Sequence, residues 1–379
     1  MSPTDHHQFT NPNRISAGGQ LLQRLHLDLP LLFTLLILAV IGGFVLYSAS
    51  DQNTELLVRH SLRLLIGFVI MVSLAQMQPE TFRFWSPWLF GIGLILLFAV
   101  LLFGQSGGGA QRWLNFGLFR FQPSEIMKIA VPMMIAWYLC NAAIPPSPGR
   151  LLVSILLLVV PTLLIARQPD LGTSLLIACA GFFVLFLAGL RWSLMLGAII
   201  ALIASTPLIW NYLLHDYQRQ RVLTFLNPEV EPLGSGYHII QSTIAIGSGG
   251  VYGKGWLNGT QAHLDFLPER STDFIFAVFS EEFGLLGVLV LLLLYGILIA
   301  RGIIIAARAQ DTYNRLLAGS LILTFFIYVL VNIGMVSGLL PVVGVPLPLI
   351  SYGGTSIVTL LAGFGILMSI QTHRRLIPT

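Results

Sequence analysis

The sequence predicts an all-α integral membrane protein with about ten transmembrane helices, both termini cytoplasmic and one large extracytoplasmic loop. Three observations carry that prediction. Of 379 residues, 55% are hydrophobic and only 9% charged, whereas soluble domains carry about 25% charge. Apolar stretches of about 20 residues recur along the chain, the length at which a helix crosses the hydrocarbon core while satisfying its own backbone. Arginines, finally, favour one set of loops over the other, as cytoplasmic loops do.

The expected spans fall near 31–50, 62–77, 85–104, 123–141, 150–167, 172–190, 193–214, 273–300, 315–338 and 347–371, the second being short. One set of flanks holds Arg14, Arg24, Arg83, Arg150, Arg191, Arg301, Arg308, Arg315, Arg374 and Arg375. The opposite short loops hold the smaller set Arg59, Arg63, Arg112, Arg120 and Arg167. Residues 1–30 are then a cytoplasmic arm, 31–371 a single membrane domain without a visible repeat, about 215–272 its large external loop, and 372–379 a cytoplasmic tail.

Composition also excludes. A formal charge of +4 with no dense Lys/Arg block argues against a nucleic-acid partner. Cys140 and Cys179, each inside an apolar run, provide neither a disulfide framework nor a Cys-rich metal site and read as packing residues.

Charge within or beside a membrane helix costs several kcal/mol unless paired or solvated, so each such residue is a functional candidate. In Gln122-Pro123-Ser124-Glu125-Ile126-Met127-Lys128, Glu125 and Lys128 lie one turn apart and can neutralise each other, as an insertion device or as part of a substrate site. Upstream, Arg112 and Trp113 follow a Gly-rich stretch. The Trp reads as an interfacial anchor and the Arg as a candidate phosphate ligand. Asp170, after Gln168-Pro169, can cap the next helix. Arg59 and Arg63 share a helix face, with snorkelling to headgroups the bland reading.

The loop Gly247-Ser248-Gly249-Gly250-Val251-Tyr252-Gly253-Lys254-Gly255 lacks the Walker spacing, which rejects a nucleotide site. It leaves a flexible external loop whose N–H groups and Lys254 can meet an anion. The stretch from Asp265 through Glu269 and Arg270 to Asp273 ends where a long apolar helix begins, with Glu281 and Glu282 further on. Capping explains one aspartate, Asp273, but not the surrounding charge. A carboxylate at the mouth of a membrane cavity, with cations nearby, is what glycosyl or phosphoryl transfer needs. Last, Pro346-Leu347-Pro348-Leu349-Ile350-Ser351-Tyr352-Gly353-Gly354 breaks an apolar segment. Broken backbone at membrane depth requires a protein-covered or water-filled cavity.

These clusters resemble, in order, the signatures of the SEDS family of bacterial shape, elongation, division and sporulation proteins. They are Gln122-Pro123-Ser124-Glu125, Gln168-Pro169-Asp170-Leu171-Gly172-Thr173, Gly247-Ser248-Gly249-Gly250 with Gly253-Lys254-Gly255, Thr272-Asp273-Phe274-Ile275-Phe276, and Pro346-Leu347-Pro348-Leu349 with Ser351-Tyr352-Gly353-Gly354. The segments from His215 to Val222 and from Gly236 to Ser242 are similar to those of the elongation branch.

The resemblance implies a peptidoglycan glycosyltransferase in the bacterial cytoplasmic (inner) membrane, polymerising lipid II on the periplasmic side during rod-shaped growth. It implies a class B penicillin-binding protein as partner, alongside other membrane proteins of the elongation complex. The family's essential aspartate carries over to Asp273, and an acidic position ahead of it to Asp265, where relatives often have Glu. Asp273 is then the general base. Arg59, Arg112, Lys128, Lys254 and Arg270 are cations available to the leaving pyrophosphate, and Gln122, Glu125, Asp170, Glu269, Ser351 and Tyr352 complete the candidate site. No cofactor is required by any motif; a divalent cation, Mg or Mn, fits the chemistry without an encoded ligand set. The rival readings are a lipid II flippase and a non-catalytic scaffold for the penicillin-binding protein.

Overall fold

The computed structural model describes residues 26–107, 110–115, 120–208, 210–211, 216–227, 235–263, 267 and 269–373. Ten apolar helices build it: α1 (Leu29–Ala49), α2 (Thr54–Ala75), α3 (Pro79–Phe103), α4 (Pro123–Leu139), α5 (Pro148–Ala166), α6 (Leu171–Leu187), α7 (Trp192–Leu208), α11 (Ile275–Ala307), α12 (Thr312–Val336) and α13 (Thr355–Thr372). Three shorter ones, α8 (Asp216–Leu226), α9 (Ser235–Gly249) and α10 (Thr260–His263), lie between α7 and α11, in the segment expected as the large external loop.

Among the described residues seven helices, α1, α2, α3, α5, α11, α12 and α13, are long and apolar enough to cross a membrane. The 17-residue helices α4, α6 and α7 coincide with the other three expected spans, each reaching about 26 Å at ~1.5 Å per residue. Helix α2 starts eight residues earlier than hydropathy suggested, at Thr54 rather than residue 62. Its first turns hold Glu55, Arg59, His60 and Arg63, which mask the span. Its start is set by Asn53, whose side chain accepts from Leu56 N at 3.1 Å.

A small antiparallel sheet, β1 (Gln105–Gly107), β2 (Ala110–Asn115) and β3 (Arg120–Phe121), adds β structure that the all-α expectation did not include. It lies between α3 and α4 in the chain and contacts both.

Helices α12 and α13 are buried over most of their length and form the centre. Around them α2 lies along α13, while α4, α6 and α11 pack on α12. Helix α7 is exposed along nearly all of its described length and packs only sparsely on the bundle. On the expected cytoplasmic side, the ends of α1 and α11 are tied by Arg301 and Asp28, 2.6 Å apart.

Two departures from helical regularity shape the side expected to be external. First, α11 breaks at Gly284, whose φ of +62° lies in the left-handed region that favours glycine. The break frees main-chain groups, and the loop after α9 takes them up. Lys254 N and Gly255 N donate to Glu281 O and Glu282 O, both at 3.0 Å, while Leu285 N and Leu286 N donate to Gly250 O and Val251 O at 3.0 and 3.1 Å. This accounts for the glycines there: Gly253, at φ +79°, abuts the Glu282–Gly284 backbone, where a side chain would collide.

Second, the last expected span, 347–371, is helical only from Thr355. Residues 340–354 run as irregular chain, with a tight turn closed by Ser351 Oγ, which accepts from Leu347 N at 2.7 Å.

Candidate functional site

The breaks bring one polar surface together. Helix α4 starts with Pro123 in its first turn, where the missing N–H costs nothing, and so presents Gln122 and Glu125 at its N-terminal end. Helix α6 starts from Asp170, which accepts from Thr173 N at 3.2 Å, the cap expected from the sequence. The turn before α11 contributes Glu269, Thr272 and Asp273. The irregular 343–356 stretch and the start of α13 close the other wall. Between them lies a cavity of about 630 Å³ whose lining includes Arg112, Trp113, Gln122, Glu125, Lys128, Asp170, Glu269, Asp273, Tyr328 and Tyr352. The cavity predicted from the broken backbone is therefore present.

Its polar groups are organised in two pairs. Lys128 Nζ and Glu125 Oε1 are 2.8 Å apart, both nearly buried, and the ammonium sits 5.3 Å from the centre of the Tyr328 ring. Arg112 lies 3.9 Å from Asp170 and also donates to the Pro169 carbonyl, while Gln122 Nε2 donates to Asp170 Oδ2 at 2.9 Å. Glu125 Oε2 is buried with no protein partner, an acceptor available to a ligand in the cavity. Below the polar floor, Lys128 and Tyr328 also border an apolar slot between α12 and α13, lined by Leu321, Phe325, Leu360 and Phe364.

Asp273 does not cap α11, contrary to its simplest sequence reading. Phe274 holds the cap position, without a side-chain capping bond, and Asp273 lines the cavity. Beside it, Glu269 stands at φ +55°, a left-handed conformation costly for a residue with a Cβ, and its Oε2 accepts from Thr272 Oγ1 at 2.7 Å. Across the seam His238 of α9 stacks on Phe274, with ring centres 5.6 Å apart. Burial pushes the His238 imidazole below its ordinary value, against the smaller upward pull of Glu269.

Several candidates are placed elsewhere. Arg59 is exposed and pairs with Glu55 on its own helix, whereas Arg63, four residues on, lies over the Tyr352 ring at 4.7 Å, so the two arginines do not act as one face. Arg270 pairs with Asp51. Ser351 is buried in its turn and holds main chain. Lys254 does meet an anion, but it is the protein's own Glu281, at 2.6 Å. That fully buried carboxylate also accepts from Thr260 N, Thr260 Oγ1 and Gln261 N at 2.9–3.2 Å. The Gly-rich stretch is thus a packed clasp rather than a flexible loop. Asp265 lies outside the described residues.

Sequence reasoning missed Tyr328, Thr173 and the 343–345 backbone as cavity walls. Tyr328 sits in an apolar run with nothing beside it to distinguish it from packing. Among the described residues no cluster of three or more His, Cys, Asp or Glu is arranged to hold a metal.

The model of the FtsW/RodA/SpoVE family, described as cell cycle protein, matches residues 27–376. Peptidoglycan glycosyltransferase MrdB of Escherichia coli (strain K12) is 55% identical over 367 residues, covering 97% of this chain and 98% of that one. Among solved structures, a chain described under structural coordination of polymerization and crosslinking by a peptidoglycan synthase complex superposes with a TM-score of 0.81 at 34% identity, covering 92% of this chain and 98% of that chain. Rod shape determining protein RodA of Thermus thermophilus superposes with a TM-score of 0.69 at 29% identity, covering 91% and 96%.

Proposed function

This chain belongs to the FtsW/RodA/SpoVE family of cell cycle proteins, and from that premise we propose a specific chemistry for its cavity. The protein is a peptidoglycan glycosyltransferase of the rod-shape type. Its donor and acceptor are lipid II and a growing glycan, and Asp273 is the general base. The carboxylate takes the proton from the acceptor sugar's 4-hydroxyl as that oxygen attacks the anomeric carbon of the donor. The bond from that carbon to the diphosphate breaks with inversion, and undecaprenyl diphosphate leaves with the electron pair.

The observation that carries this reading is the convergence of Asp273 with Arg112, Lys128 and the unpartnered Glu125 oxygen in one cavity. Arg112 and Lys128 are the cations placed to meet the diphosphate. The apolar slot beside Lys128 suits the first isoprene units of a lipid tail entering from the bilayer.

Charge adds a requirement. Among the described residues the lining has two cations, Arg112 and Lys128, against four carboxylates, Glu125, Asp170, Glu269 and Asp273. An anionic diphosphate entering that surface needs further positive charge. A divalent cation held by one or two of these carboxylates and the phosphate oxygens fits, since Mg²⁺ rarely needs a full protein cage. We place the cavity on the periplasmic side of the inner membrane, and a class B penicillin-binding protein beside the chain to cross-link its product.

The test is polymerisation of lipid II by purified protein with its transpeptidase partner, beside Asp273→Ala. Wild type should make polymer, and the variant should lose at least ~10²-fold while staying folded and partner-bound. Polymer from Asp273→Ala at the wild-type rate would overturn the base assignment. Lipid II crossing vesicles without polymer would favour a flippase.

A further inference from the structure

Asn332, near the end of α12, is fully buried in an apolar stretch. Its two amide protons go to two main-chain carbonyls: Asp273 O at 3.0 Å and Val345 O at 2.7 Å. Those carbonyls belong to the two irregular segments that flank the cavity, the turn ending at Asp273 and the broken stretch ahead of α13. A second bond crosses the same seam, from Tyr352 N to Ser271 O at 2.8 Å.

The clasp falls where the helix gives no guidance. Asp273 precedes the cap of α11, and the amide that would reach its carbonyl in a regular helix, Ala277 N, bonds to Phe274 O instead. Gly344, next to Val345, is at φ +76°, and a Cβ there would stand 3.4 Å from Asp273 Oδ2. The same seam therefore sets both the backbone and the carboxylate surroundings of Asp273.

We infer that Asn332 is a positioning residue: by bridging Asp273 O and Val345 O it holds the Asp273 carboxylate at the distance from the opposite wall that proton transfer needs. This rests on the reading of Asp273 as the base. A side chain that merely glued two loops would contribute to stability alone. One that places a base contributes to turnover of bound substrate, because displacement by about 1 Å can cost ~10²-fold.

The experiment compares wild type, Asn332→Ala, Asn332→Ser, Asn332→Gln and Asp273→Ala, full-length with the transpeptidase partner, for lipid II turnover, KM and thermal melting. Asn332→Ala should lower kcat per folded molecule about 10- to 100-fold with KM for lipid II within about twofold. Asn332→Gln, which keeps both donors, should recover part of the loss. A normal kcat per folded molecule in Asn332→Ala, or a raised KM with kcat intact, would overturn the inference. If Asn332→Ala does not fold, Asn332→Ser, whose single hydroxyl proton cannot bridge both carbonyls, decides: kcat equal to wild type together with a lowered melting temperature assigns a structural role only. Retained turnover in Asp273→Ala sinks the base assignment itself, a different result from a normal Asn332→Ala beside an inactive Asp273→Ala.

Discussion

Lys128 and Glu125 close an ion pair at 2.8 Å one turn apart on α4, and both side chains are more than nine-tenths buried. A pair so placed is costly to break, because removing one partner leaves the other charged and buried. Lys128→Met and Glu125→Gln should each destabilise the fold by about 3–5 kcal/mol. The double variant should recover most of the melting temperature but not polymerisation, since both groups line the cavity. Melting and turnover measured on the same four proteins check this; turnover restored along with stability would assign the pair to insertion alone.

The two arginines named first as phosphate ligands should behave differently. Arg112→Ala removes a half-buried guanidinium that braces Asp170 on the cavity wall. It should raise KM for lipid II roughly 10-fold or more, the scale of a lost charged hydrogen bond. Arg59→Ala removes an exposed surface pair and should leave both kinetic constants within about twofold. A larger effect at Arg59 than at Arg112 would contradict the placement of the site.

Acid should loosen the packing of α9 against the turn before α11 through His238. Its folded value is depressed by burial, so the unfolded chain binds more protons once the pH falls below the ordinary imidazole value of about 6.5. Stability is then complete above that pH and declines as pH drops toward the folded value. The melting temperature should be lower at pH 5.5 than at pH 7.5, and His238→Gln should shrink the difference. An unchanged difference would show that the acid sensitivity arises elsewhere.

Four carboxylates against two cations among the described residues of the cavity lining predict dependence on divalent metal. Chelation should suppress polymerisation, Mg²⁺ or Mn²⁺ should restore it, and the effect should appear as weaker substrate binding. Full turnover in excess chelator would mean that protein cations suffice.

Much of this architecture is legible in the residues, and the limits have physical causes. Apolar length announces most spans directly, and charges such as Glu125, Lys128 and Asp170 stand out because hydrocarbon makes them expensive. The start of α2 is hidden by its own charged face. Lys254 reads as an anion ligand, but its partner, Glu281, lies 27 residues on, and only folding shows that the two meet. Arg59 and Arg63 are the same residue type one turn apart; the Tyr352 ring packed against the second, contributed from the far end of the chain, separates them. Asn332 is a lone amide in an apolar run, which marks it as unusual without saying what it holds.

The helix starts at the cavity have an electrical consequence. Helices α4, α6 and α13 all begin at its wall, through Gln122, Asp170 and Thr355, and at α6 the Asp170 carboxylate accepts from Thr173 N. The aligned peptide dipoles of a helix amount to about half a positive charge at such an end. For α13 this end is sunk into the wall because residues 340–354 are not helical; a continuous span would have sent it to the surface. The break in the last span thus does more than open space. It directs the field of a buried helix onto the place where a leaving diphosphate would gather negative charge.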